Sequence, residues 1–144
     1  MGLDMHLTQR TYVSSLDGHS ITLVGKGLEH IKPERIKYVI EDVGYWRKAN
    51  AIHHWFVENV QDGEDDCKDY YVSREKLSEL LGLVNEVLSD HGKASELLPT
   101  RSSFFFGSTD YDSYYFDDLA DTKRIIESVL EEEAHDSIYY SSSW

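Results

Sequence analysis

The segment from Tyr45 to Phe56 concentrates side chains that could bind a ligand. On a helix, its aromatic and polar residues fall on two adjoining stripes. The first consists of Trp46, Asn50 and His53, and the second of Arg47, Asn50 and His54. A guanidinium grips an anionic group with parallel hydrogen bonds, an amide offers a donor and an acceptor, and an indole stacks on a planar ring. The segment therefore predicts a site for a planar, anionic ligand. The alternative is a helix whose aromatic stripe packs in the core while its cations are simply exposed.

A second group of reactive residue types is the turn Asp65–Cys67, considered together with His53 and His54. A thiolate and an imidazole are ligands that zinc prefers, and a thiol beside an imidazole can act as a nucleophile. The chain has no second cysteine and none of the common zinc-binding spacings, so we expect no metal and no catalytic residue here. The alternative is an ordinary turn with solvated carboxylates and a small buried thiol.

The turn Gly107–Thr109 leads into a segment with helical character. Free backbone N–H groups at such a helix start can hold a phosphate. Ser108 or Thr109 could instead cap the helix, and Asp110 and Asp112 suit its positive end and would repel an anion. We favour the capping interpretation.

Three tyrosines follow that turn, at positions 111, 114 and 115. They cannot all face inward on one helix, so at least one should be exposed, as at a ligand or protein interface. We expect this segment to form a second wall opposite the Tyr45–Phe56 segment. The predicted ligand-binding residues are therefore Trp46, Arg47, Asn50, His53, His54, Tyr111 and Tyr115.

Alternating apolar residues predict strands in the first part of the chain. Leu3–Val13 alternates along its length, Ile21–Val24 is a second short strand, and Asp17–Gly18 indicates a hairpin between them. Arg35–Glu41 also alternates and is predicted as a third strand. From Tyr45 to Val60 the period changes to that of a helix.

The rest of the chain adds two helices and further strands. Ser73 is the expected N-cap of a helix that reaches about His91, and a third helix follows the turn after residue 107. Strands are predicted at Tyr70–Val72, Phe104–Phe106 and Ile138–Trp144. This order predicts an α+β fold, with an antiparallel or mixed β-sheet and about three α-helices packed on it, and residues 1–144 in a single domain.

The composition restricts the partners that the chain can have. Its 144 residues include 27 Asp and Glu against 14 Lys and Arg, which gives a formal charge of −13. Such a chain is repelled by nucleic-acid phosphates and by anionic lipid, so we expect neither nucleic acid nor a membrane as a partner. One cysteine excludes an intrachain disulfide and favours a reduced, cytosolic setting. The sequence contains no phosphate-binding loop motif, and no cofactor is expected.

Further segments, taken together, point to a family. They are Met1–Met5, Tyr45–Asn50, Ile52–His53, Trp55–Val57, Asp65–Cys67, Tyr71–Glu75, Leu98–Thr100, Phe104–Asp112 and Ser142–Trp144. In these segments the chain resembles, nearly end to end, a family of small proteins encoded by bacteriophages and prophages. The most specific matches are Tyr45–Asn50 and Phe105–Thr109. The resemblance implies a phage origin and no particular chemistry.

The function that we expect is that of a ligand-binding phage protein in the host cytoplasm. It would sequester a small nucleotide-like molecule, such as a host immune signal, without catalysis. One alternative is an acidic decoy that mimics nucleic acid or docks on a basic host protein. Another is a small enzyme that acts on a nucleotide through His53, His54 or Cys67. We also consider a homodimer, in which a second subunit could complete the pocket.

Overall fold

An antiparallel β-sheet with a layer of helices forms the part of the chain that the computed structural model describes, residues 2–14, 18, 20–103, 105–132 and 137–144. The strands are β1 (Asp4–Tyr12), β2 (Tyr38–Arg47), β3 (Tyr70–Val72) and β4 (Ser137–Ser143). The helices are α1 (Asn50–Asn59), α2 (Arg74–Ser89), α3 (Ala94–Leu97) and α4 (Ser113–Glu131). Single turns of 3-10 helix occur at Pro33–Arg35 and His91–Lys93. The predicted α+β class is confirmed, and the sheet is antiparallel.

The strand order in the sheet is β2-β1-β4-β3. Strand β1 lies inside the sheet because it pairs with β2 along one side and with β4 along the other. Strand β3 pairs with β4 and forms one edge, while β2 forms the other edge. The β1–β2 ladder is irregular at one point, where Leu7 faces Gly44 and Thr8 faces Asp42, so that Val43 is an extra residue.

One face of the sheet packs against the helices. Alternate residues of β1 and β4 are buried there, including Met5, Leu7 and Tyr140, as the two-residue period of a half-buried strand requires. Gly44 sits where α4 crosses β2, and a Cβ atom at this position would lie 2.5 Å from Cγ2 of Ile125. The missing side chain therefore lets α4 approach the sheet closely.

Both long helices after residue 70 start at a side-chain cap. Ser73 accepts a hydrogen bond from the backbone N–H of Lys76 at 3.1 Å, which confirms the predicted start of α2. Helix α4 is capped by Asp112, which accepts from the N–H of Tyr115 at 3.1 Å. The expectation that Ser108 or Thr109 would cap this helix is wrong, because the chain turns for several more residues before the helix begins.

Three further predictions about elements are wrong. Ile21–Val24 is not a strand, because β2 occupies the position beside β1 that the prediction gave to this segment. The helix predicted from Tyr45 begins at Asn50, since residues 45–47 complete the ladder of β2. Phe105 and Phe106 lie in a turn rather than a strand.

Two predictions involve residues outside the described ranges. Asp17 of the expected hairpin turn and Phe104 of the expected buried strand both lie there. The strands predicted at Tyr70–Val72 and at the C-terminal Ile138–Trp144 are confirmed, the second with a shift of one residue. Within the described residues, no helix combines the length and the apolar character that crossing a bilayer requires.

Candidate functional site

A cleft of about 270 Å³ opens between the start of α1 and the start of α4. One wall consists of Arg47, Lys48 and the first turn of α1. The opposite wall carries carboxylates and tyrosine rings, which are Asp110, Asp112, Tyr114, Tyr115 and Asp118. Pockets for small molecules commonly measure about 300–1,000 Å³, so this cleft suits a small ligand that stays partly open to solvent.

The N-terminus of α1 gives the first wall a positive potential. Its N-cap residue is Ala49, which has no side-chain oxygen to accept from the free N–H groups, and the first turn contains no acidic residue. Ala51 and Ile52 of this turn line the cleft. Partial positive charge on unpaired N–H groups at a helix start attracts anions.

Two basic side chains flank this helix start. Lys48 connects β2 to α1 in a left-handed backbone conformation, with φ of 57°. Its stem passes over Gly107, where a Cβ atom would lie 3.3 Å from Cβ of Lys48. Arg47 and Lys48 are both exposed, and within the described part of the chain neither side chain makes an ion pair. Their charges are therefore available to a ligand.

Asp118 dominates the chemistry of the opposite wall. Burial, and then the nearby carboxylates of Asp121, Asp117 and Asp112, raise the pKa of its carboxyl to about 7. The side chain is half-buried and borders the cleft. Near neutral pH this carboxyl is present in both protonation states, so it can donate or accept a hydrogen bond.

Asn50 and Tyr115 border the cleft, as predicted, but their polar atoms are already bonded. The Asn50 amide donates to the carbonyls of Phe106 at 3.1 Å and Ser108 at 2.7 Å, and its oxygen accepts from the N–H of Arg101 at 3.2 Å. The Tyr115 hydroxyl donates to the Leu98 carbonyl at 2.7 Å. These two residues shape the cleft by fixing the loop before α4.

The other predicted residues on this side do not line the cleft. Trp46 is buried in the core, and its indole N–H donates to Oγ1 of Thr122 at 2.8 Å. Tyr111 accepts a hydrogen bond from the N–H of Thr100 at 3.2 Å and stands beside the loop. His54 is half-buried, and its Nδ1 lies 4.0 Å from Oε1 of Glu58. Burial lowers the pKa of the His54 imidazole.

His53 belongs to a separate, buried hydrogen-bond network. Its Nε2 lies 2.9 Å from Oδ2 of Asp65, and its Nδ1 lies 2.6 Å from the Tyr140 hydroxyl. Because a carboxylate only accepts, Nε2 carries the proton and Nδ1 accepts from the tyrosine. Burial lowers the pKa of the His53 imidazole although Asp65 opposes the shift, so the ring is neutral at pH 7.

This network connects α1 to the C-terminal strand. The second oxygen of Asp65 accepts from the indole N–H of Trp144 at 3.0 Å. The Tyr140 ring stacks on Phe56 with 3.9 Å between centroids. The hydroxyl of Tyr140 is enclosed in the core. We conclude that the network positions β4 and the 61–68 turn on α1.

Cys67 is exposed and free. The expectation of a small buried thiol in this turn is wrong, because residues 65–67 lie at the surface end of the network rather than under a helix. Among the residues that the structure describes, no three His, Cys, Asp or Glu side chains are grouped so that they could hold a metal ion.

The residues of the cleft that were not predicted to bind a ligand include Lys48, Tyr114 and Asp118. For Asp118, a signal was present in the sequence. It lies three residues after Tyr115 and four before Thr122, and both of these are buried on α4. A carboxylate at that spacing borders the buried stripe and is partly desolvated.

Comparison of the chain with protein-family models, with curated proteins and with solved structures gives no match.

Proposed function

We propose that the protein binds a small, anionic, nucleotide-like molecule in the cleft and does not transform it. The observation that carries this proposal is an uncapped helix start beside the side chains of Arg47 and Lys48, neither of which makes an ion pair within the described residues. This basic wall lies in a chain whose formal charge is −13. Basic groups that are not neutralised by the many acids around them are available to an anionic ligand.

The anionic end of the ligand would lie against α1. A phosphate there can accept hydrogen bonds from the N–H groups of the first turn, in which Ala51 and Ile52 border the cleft. The guanidinium of Arg47 can add two parallel hydrogen bonds, and Lys48 adds a point charge.

The opposite wall disfavours a ligand that is negatively charged at both ends. Asp110, Asp112 and Asp118 would repel a second negative group, so a ligand with one anionic end and one neutral end fits best. The neutral end could stack on Tyr114, of which 77% is exposed. The Asp118 carboxyl could then exchange hydrogen bonds with the N–H and N groups of a heterocycle. A nucleotide has this distribution of charge and polarity.

Binding without turnover is supported by the residues at the cleft. Among the described residues, its lining contains no histidine or cysteine, and the imidazole of His53 is bonded inside the Asp65–Tyr140 network. A nucleophile and a base within hydrogen-bond reach are the usual requirement for covalent catalysis. The resemblance to phage proteins supports the narrower proposal that the ligand is a host immune signal, sequestered in the host cytoplasm.

The experiment is calorimetric titration with mononucleotides, cyclic nucleotides and inorganic phosphate. We expect a nucleotide to bind more tightly than phosphate, and Arg47→Ala or Lys48→Ala to weaken binding about tenfold or more, since a charge-assisted hydrogen bond contributes about 1.5–3 kcal/mol. Arg124→Ala is the matched control, because this exposed arginine pairs with Asp121 on α4, away from the cleft lining.

Two results would refute the proposal. One is that the wild-type protein binds no nucleotide at millimolar concentration. The other is that Arg124→Ala weakens binding as much as Arg47→Ala does. Chromatography of the ligand after long incubation tests the second half of the proposal, since accumulation of a product would favour an enzyme.

A further inference from the structure

The outer face of the sheet, which points away from the helices, carries an aromatic patch. Its large exposed residues, with their exposed fractions, are Tyr12 (50%), Tyr38 (57%), Ile40 (59%), Tyr45 (50%) and Tyr71 (60%). In β1, Tyr12 lies on the face opposite to the buried residues. Tyr38, Ile40 and Tyr45 of β2 pair with β1 residues of that same outer face, and Tyr71 of β3 pairs with Tyr139 of β4. We call this surface the outer sheet face.

Ring contacts join the patch across the strands. Tyr12 and Tyr38 meet edge to face at 5.4 Å between centroids on β1 and β2. Tyr71 on β3 contacts Tyr139 on β4 at 6.1 Å. The patch therefore extends over all the strands of the sheet, from one edge to the other.

The outer sheet face carries charges of both signs, and Asp4 lies directly opposite Arg47 in the β1–β2 ladder. Arg10 pairs with Asp69, and its guanidinium lies 4.0 Å from the centroid of the Tyr139 ring. The Tyr45 hydroxyl donates to the Asp4 carboxylate, and Nδ1 of His6 lies 3.8 Å from Oδ1 of Asp42. A surface rich in tyrosine, with arginine among its charged groups, has the composition of an interface core.

We propose that the outer sheet face is a homodimer interface, on which a second copy of this chain packs its own outer sheet face. Two copies, each with a formal charge of −13, repel one another over most of their surfaces. On the outer sheet face, the acids Asp4, Asp42 and Asp69 lie among the bases Arg10 and Arg47, so repulsion between two such faces is small. A basic partner would instead be drawn to the surfaces where carboxylates outnumber cations, as they do in the chain as a whole.

The dimensions of the sheet support a weak dimer. Strands of this length span about 30 Å and the sheet is about 15–19 Å wide, which gives roughly 500 Å² for each copy. The total of about 1,000 Å² lies at the lower limit for a specific protein interface. Packed face to face, the two sheets would form a sandwich across the two-fold axis. We therefore expect a dimer that dissociates on dilution.

Sedimentation analysis from micromolar to millimolar protein tests the interface. The informative variants are Ile40→Lys on β2 and Tyr71→Lys on β3, at opposite edges of the sheet. Lysine makes the chain less acidic, so any loss of dimer cannot come from greater net repulsion. We expect each variant to raise the dimer dissociation constant about tenfold or more, because each places a charge in the interface core.

Val39→Lys is the matched control. Val39 neighbours Ile40 on β2 and points to the other side of the sheet, and 39% of it is exposed. We expect this variant to dimerise as the wild type does. Circular dichroism of each variant confirms that it has folded.

Three outcomes would overturn the proposal. The wild type could remain monomeric at every concentration. Val39→Lys could dissociate the dimer as strongly as Ile40→Lys. Ile40→Lys alone could be effective while Tyr71→Lys is not, which would indicate pairing through the edge of β2. None of these results depends on whether the cleft binds a nucleotide.

Discussion

Two polar regions meet on helix α1, and they differ in how their polar groups are bonded. In the first, His53 is fully buried, and both ring nitrogens have partners, Asp65 and Tyr140. In the second, at the helix start, Ala51 and Ile52 line a cleft beside Arg47 and Lys48, which make no ion pair among the described residues. The same ten-residue helix thus supports a closed network and an open site.

The comparison shows that residue type alone does not identify a functional site. Histidine, aspartate and tyrosine are common catalytic residues, yet here they are bonded to one another in the core and hold the strand β4. Among the described residues of the cleft, the side chains without an ion pair include those of Lys48, Arg47 and the half-buried Asp118. Free polar groups at a concave surface are the ones that a ligand can use.

The largest effect is expected where the closed network is broken. His53→Leu removes both hydrogen bonds and leaves the Tyr140 hydroxyl and the Asp65 carboxylate without their partner. We expect the free energy of unfolding in urea to fall by about 3–5 kcal/mol, because a buried donor and a charged acceptor lose their partner together.

His54→Leu is the control for that measurement. His54 is next in sequence but half-buried, and its nearest acidic atom is 4.0 Å away. We expect a change below about 1 kcal/mol. If both substitutions lowered the free energy of unfolding equally, the distinction between the closed network and its surroundings would be contradicted.

An intermediate effect, with the opposite sign, is expected at Asp118. Its pKa is about 7 in the folded protein against an ordinary value of 3.8. The folded state therefore holds the proton more tightly than the unfolded state, so stability falls as pH rises from about 4 to about 7. Asp118→Asn removes this loss, and we expect it to stabilise the protein by about 1–3 kcal/mol near pH 8 but not below pH 4.

Urea unfolding across that pH range checks the prediction. Glu127→Gln is the control, because Glu127 is an exposed carboxylate of the same helix and is not among the groups that raise the pKa of Asp118. A pH-independent difference between Asp118→Asn and the wild type would show that burial of the carboxyl is not the cause.

The smallest effect on stability is expected at Lys48, where φ is 57°. Glycine adopts this backbone without strain, so Lys48→Gly should change the free energy of unfolding by no more than about 1 kcal/mol, in the stabilising direction. Nucleotide affinity should nevertheless fall, because the charge is lost. Thermal unfolding and calorimetry on the same variant measure both. A loss of stability larger than that of His54→Leu would mean that the cleft, too, is part of the structural framework.

The sequence predicted those elements whose pattern is local. The alternation in β1, the short strand β3 and the Ser73 cap of α2 all depend on nearby residues, and these predictions are confirmed. The boundary between β2 and α1 was missed, because Trp46 fits the apolar stripe of a helix and also the inner face of a strand. The long ladder with β1 decides between them, and that pairing is not local.

The candidate site was predictable to a similar extent. Arg47 was expected to be available, and it lines the cleft. The role of Asn50 could not be read from its neighbours, since its partners lie on the loop near residues 101–108. His53 likewise depends on Tyr140, which only the tertiary fold brings within 2.6 Å. Contacts between distant parts of the chain decide whether a polar side chain is bonded within the fold or is available to a ligand.

The pairing of β1 with β4 has a consequence for synthesis on the ribosome. Asp4 pairs with Ser143 and Arg10 with Ser137. Strand β1 therefore acquires its second neighbour, β4, only after residues 137–143 have been translated. Until then, one edge of β1 and its apolar face stay open to other chains, a state that favours aggregation. Because these contacts are so distant in sequence, we expect folding to be slow for a protein of this size.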